Sequence, residues 1–94
     1  RLQGSGVTTY SLHPGVVATD VWRSVPWPFR WLVTHNLLSP EQGAATTLYC
    51  ATSAELSAQT GLYYDHSRLK PPSALAQDPA LAAELWQRSE AWLQ

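Results

Sequence analysis

The 94-residue sequence contains no methionine, and only one cysteine, one phenylalanine and one lysine. Without methionine it carries no initiator residue, so it is expected to be part of a longer protein. The lone Cys50 cannot close an internal disulfide, which suits a reducing compartment. Six Lys and Arg stand against seven Asp and Glu. That balance leaves no basic stripe to follow a phosphate backbone and speaks against nucleic acid as a partner. No apolar run reaches the roughly 18–20 residues that a membrane span needs. A cytoplasmic location is the expectation, with membrane association through residues outside this stretch left open. His13, His35 and His66 lack metal-ligand spacing, so no metal site is expected.

The chain is instead rich in aromatic mass, with five Trp and four Tyr. A chain of this length buries only about two thirds of the surface it exposes when unfolded. So large a ring set fits better as part of a bigger core than as a complete one.

Arg1–Gly4 reads as the end of a helix, with Gly4 as its left-handed stop. Val7–Leu12 is β-branched and aromatic and bounded by turn residues, which predicts a strand. Its mix of Val7, Tyr10 and Leu12 suits a parallel sheet covered on both faces. Pro14 and Gly15 end it abruptly. From Val16 to Leu38 the pattern predicts two short helices or a helical lid, with Thr19 or Asp20 as a cap. Ser39 and Gln42 form a capping box around Pro40, which predicts a helix to about Thr52. Its small-residue face is read as Ala44, Ala45, Leu48, Tyr49 and Ala51, with Cys50 a buried space-filler. Gly61–Tyr64 is a short strand, and Asp65–Gln77 reads as a surface loop in which Asp65, Arg68 and Lys70 are solvated. Asp78 and Pro79 start a last helix to about Trp92, with Leu81, Leu85, Trp86 and Trp92 on its apolar side. Two strands joined by a long crossover make a βαβ unit, and two strands alone do not complete a parallel sheet.

The segment from Arg1-Leu2-Gln3-Gly4-Ser5-Gly6-Val7-Thr8 through His13-Pro14-Gly15-Val16-Val17-Ala18-Thr19 resembles the short-chain dehydrogenase/reductase family, most closely its retinol dehydrogenase-like branch. Ser39–Ala44 resembles the start of that branch's penultimate helix, Thr60–Tyr64 its last strand and Leu85–Ser89 its final helix. The resemblance implies an α/β fold for residues 1–94. They would be the C-terminal portion of a Rossmann-type doubly wound parallel sheet: the last two strands, a substrate lid and the final helices. It implies hydride transfer between NAD(P), with NADP favoured over NAD, and a hydrophobic alcohol, aldehyde or ketone. Pro14, Gly15, Val17 and Thr19 would then belong to the nicotinamide end of the cofactor site. Gly15 would allow a flat ring to approach, Val17 would offer backbone groups, and Thr19 a hydroxyl. A helix starting near Asp20 would add amide dipoles toward an anion.

The family's catalytic Tyr-x-x-x-Lys pair is not in this stretch. Tyr10 is followed four residues on by Pro14, Tyr49 by Ser53, Tyr63 by Ser67 and Tyr64 by Arg68. The chain alone is therefore expected to be inactive. Plainer readings stand beside these. Pro14-Gly15 is also an ordinary strand-ending turn, and Thr19 also a helix cap. Trp22, Trp27 and Trp31 are either a substrate lid or rings packed on the sheet edge or on a second subunit of a homo-oligomer. A catalytically silent family member and a stand-alone interaction module are the alternatives of a different class.

Overall fold

A computed structural model describes all of residues 1–94. It is α/β, a three-stranded sheet with three helices. Strand β1 (Tyr10–His13) pairs in parallel with β2 (Leu62–Asp65), in the register Tyr10 to Leu62 through His13 to Asp65. The pairing begins one step earlier, where the Gly61 amide donates to the Thr9 carbonyl at 2.8 Å. The first strand thus starts three residues later than Val7 and includes His13, because only Pro14 interrupts the ladder.

Asp65–Gln77 is not all loop. A third strand, β3 (Arg68–Leu69), runs antiparallel to β2 through a two-residue turn. Its central residues His66 and Ser67 both hold positive φ, 52° and 56°. That geometry matches the twist of the flanking strands and usually calls for Asn-Gly, so His-Ser gave no signal of it. Arg1–Gly4 is also not a helix end here. It is a turn closed by the Ser5 amide on the Leu2 carbonyl at 3.1 Å, since so few residues hold no i to i−4 ladder.

Between β1 and β2 lie a 3₁₀ turn (Asp20–Ser24) and helices α1 (Trp27–Thr34) and α2 (Pro40–Thr52). The capping box of α2 forms as read: Ser39 Oγ accepts from the Gln42 amide, and Gln42 Oε1 accepts from the Ser39 amide at 2.8 Å. Helix α2 lies against β1 and β2. The face it buries is Gly43, Thr46 and Cys50, not Ala44, Leu48 and Ala51. A 3, 7 spacing from Gly43 meets the sheet, and Leu48 is left outside. Helix α3 (Pro79–Trp92) starts on Asp78, whose carboxylate accepts from the amides of Ala80 and Leu81.

The core is small. Cys50, Leu56 and Tyr64 are buried, with Tyr10, Leu12, Tyr49 and Leu62 packed around them. Tyr10 and Tyr49 present edges to Tyr64 at centroid distances of 6.0 and 5.9 Å. The Tyr64 hydroxyl donates to Gln59 Oε1 at 2.9 Å, so the buried phenol is satisfied. Burial pushes both the Cys50 thiol and the Tyr64 hydroxyl up in pKa, as expected of groups kept in their neutral form. No residue of α3 is buried, so its apolar side is uncovered. Arg1 sits 4.4 Å over the Trp86 ring and pairs with Glu90 at 3.1 Å. No helix is long and apolar enough to cross a membrane.

Candidate functional site

The parallel strands place His13 beside Asp65 at their carboxyl ends, where ligands of open α/β sheets bind. A cleft of about 260 Å³ opens there. It is walled by His13, Pro14 and Gly15 after β1, by Leu38 and Thr46, and by Asp65, His66 and Ser67 after β2. A larger groove of about 880 Å³ lies between α3 and Arg1, Leu2 and Thr9. Thr9 precedes the amino end of β1, so that groove is at the wrong end of the strands for a cofactor.

The chain leaving β1 is held from several sides. Gly15 has φ +87°, a conformation that side chains rarely adopt, and the space a Cβ would take is filled by the Leu38 side chain. Its amide donates to Nδ1 of His13 at 3.1 Å. Val17 forms a parallel bridge with Leu38, through Ala18 N–H to Leu38 O at 2.9 Å and Leu38 N–H to Val16 O at 3.1 Å. The Val17 side chain seats on Gly43 of α2, where an added Cβ would fall 2.5 Å from Cγ2. A glycine inside a helix costs about 1 kcal/mol relative to alanine, and here that cost is offset by close approach of the loop. Gly43 was the sequence signal for this contact, and the motif reading passed over it.

Several polar groups on this loop are left free, among them the Val16 amide. The Val17 carbonyl accepts from the Thr19 amide and from the Trp22 indole, both at 3.0 Å. The Val17 N–H and the Thr19 hydroxyl make no hydrogen bond within the chain. Thr19 occupies the N-cap position of Asp20–Ser24 without capping it through its side chain. That segment is one 3₁₀ turn with Asp20 in its first turn, so the helix dipole expected near Asp20 does not form. Val17 and Thr19 lie beyond the walls of the 260 Å³ cleft, which Pro14 and Gly15 do line.

The three tryptophans separate. Trp22 is half-buried and ties down Val17, so it serves the loop itself. Trp27 and Trp31 stand on α1 with 80% and 62% of their surface exposed. Trp31 stacks on His35 at 5.1 Å. Phe29 and Leu32 are exposed as well, so α1 carries a largely uncovered apolar surface, with only the 3₁₀ turn Asp20–Ser24 packed near it.

Asp65 is no solvated loop residue. Its side chain is only 15% exposed, and Oδ2 accepts from Lys70 Nζ at 2.8 Å. Oδ1 is cut off from water and lies 2.8 Å from His66 Nδ1 and 3.6 Å from His13 Nδ1, neither in hydrogen-bonding geometry. The Lys70 hydrogen bond holds the Asp65 carboxyl below the usual carboxylate range against the opposing effect of burial, and nearby Lys70 and His66 charge adds to it. The same pairing raises the Lys70 ammonium. Thr46, buried in α2, accepts from the Ser67 amide at 3.0 Å and pins the positive-φ turn to the helix. No group of three or more His, Cys, Asp or Glu side chains is arranged to hold a metal ion.

Comparison with known proteins defines the class. Human retinol dehydrogenase 11 is 38% identical over 92% of this chain. Mouse retinol dehydrogenase 13 is 39% identical over 95% of it. The zebrafish (Danio rerio) WW domain-containing oxidoreductase is 40% identical over all of it. The chain belongs to the short-chain dehydrogenase/reductase family, in its retinol dehydrogenase-like branch. It spans 28%, 29% and 24% of the lengths of those three proteins. No family model matches the chain, and no solved structure does.

Proposed function

We propose that residues 1–94 are the C-terminal part of a Rossmann-type, NAD(P)-dependent oxidoreductase that transfers hydride between the cofactor and a hydrophobic alcohol, aldehyde or ketone. The observation that carries this reading is the loop Pro14–Thr19. It leaves the carboxyl end of a parallel strand beside a cleft, with a free amide on Val17 and a free hydroxyl on Thr19. The likeness to named retinol dehydrogenases supports the same reading.

The residues present fit a nicotinamide. Its carboxamide needs both a donor and an acceptor, and Thr19 Oγ1 is able to be either, while Val17 N–H donates. Pro14 and Gly15, earlier on the same loop, line the cleft. When bound, the nicotinamide supplies or accepts the hydride. This chain's own part is to orient that ring, and to keep water from the reacting face with the apolar helix α1 as a lid over a hydrophobic substrate. Proton transfer falls to the family's Tyr and Lys, outside these residues, so the isolated chain is inactive. By resemblance, NADP is favoured over NAD.

Titration of the intact protein with NADPH, followed by nicotinamide fluorescence, tests the loop. Replacing Thr19→Ala should weaken binding about three- to tenfold, the effect of losing one hydrogen bond. Unchanged affinity would place the nicotinamide elsewhere.

A further inference from the structure

The Gly15 amide donates to Nδ1 of His13, the last residue of β1, at 3.1 Å. Only a ring with an unprotonated Nδ1 accepts that bond, because both nitrogens of an imidazolium are donors. The same nitrogen lies 3.6 Å from Asp65 Oδ1, a buried acceptor that makes no hydrogen bond although His66 Nδ1 is 2.8 Å away. His13 therefore stands between two groups that require opposite protonation states. The His13 ring is half-exposed, at 51%, so a proton reaches it from solvent.

We propose that His13 is the positioning residue of the Pro14–Thr19 loop: neutral, it holds Gly15 in its positive-φ turn; protonated, it releases Gly15 and turns to Asp65. The inference rests on the reading of that loop as the nicotinamide-side wall. Without the His13 acceptor the Gly15 amide loses its partner and Gly15 keeps only its contact with Leu38, at the point where the loop leaves β1; further on, Leu38 and Trp22 still hold Val17. Asp65 and His66 face His13 from the end of β2, and Lys70 reaches Asp65 from beyond β3. Helix α2 presents Gln42, Ala45 and Thr46 to the cleft, all uncharged. Lys70 and His66 share the Asp65 carboxylate with His13.

The test uses the intact protein labelled with ¹⁵N and titrated between about pH 8 and 5, the interval in which imidazoles change charge. The Gly15 amide resonance should follow the His13 ring with a common midpoint, and Asp65→Asn should change the pH response of both together. His13→Asn keeps an acceptor at the place of Nδ1, whereas His13→Gln displaces it. The Asn variant should bind NADPH like the wild type and lose the pH dependence. The Gln variant should bind about three- to tenfold more weakly, with kcat at saturating cofactor less affected. A Gly15 amide indifferent to the His13 ring, or Asn and Gln variants that behave alike, overturns the proposal. If the wild type binds no NADPH yet the Gly15 amide still follows His13, the positioning holds and the cofactor reading of the loop falls instead.

Discussion

Asp65 shows how one residue links the sheet to the cleft. Its carboxylate ends β2, accepts from Lys70 and sits between two imidazoles. Its folded pKa is depressed, chiefly by the Lys70 hydrogen bond. The stabilisation is therefore complete above the unfolded value of about 3.9 and is lost as pH falls through the lower folded value. Lys70 is the mirror case: raised by Asp65, it stabilises below about 10.4 and ceases to do so as pH rises through its folded value. Asp65→Asn should flatten both limbs of a stability profile measured by urea unfolding of the intact protein across pH. An unchanged acid limb would mean that the pair contributes nothing. Sequence alone placed Asp65 in a wet loop because the hairpin that buries it turns on His66-Ser67, a pair without the usual turn chemistry. Gly15 was legible from its company with Pro14, but the neighbour that demands it, Leu38, lies 23 residues on and emerges only from the fold.

At the scale of elements, what is local was legible. The Ser39–Gln42 box and the Asp78-Pro79 start fixed both long helices to their observed ends, because a cap satisfies amides within its own first turn. The parallel pairing of β1 and β2 followed from the crossover between them. The buried face of α2 did not, since alanines and threonines along it differ little in hydropathy and the sheet selects among them. Helix α1 was expected only as part of a lid, and it stands apolar and uncovered. Trp27→Ser together with Trp31→Ser should leave the stability of the intact protein within about 0.5 kcal/mol, as for other exposed sites. The same pair should raise KM for a hydrophobic aldehyde. Lost stability with an unchanged KM would assign both rings to packing.

For the whole molecule the decisive quantity is surface. The chain exposes 7808 Å², where a compact folded monomer of its mass exposes about 5400 Å². Its radius of gyration is 17.3 Å, against about 12 Å for a compact chain of this length. On α3 the apolar side chains Leu85, Trp86 and Trp92 stand uncovered. Such a surface weighs against a stand-alone module and in favour of a segment that completes a larger sheet. The proposed hydride transfer belongs to the intact protein. The most direct measurement incubates that protein with NADPH deuterated at the transferable position and a hydrophobic aldehyde, then reads the alcohol by mass spectrometry. One deuterium on the carbinol carbon is the expected result, with none when residues 1–94 are used alone. An intact protein that binds NADPH nowhere and transfers no deuterium to any hydrophobic aldehyde or ketone would contradict it.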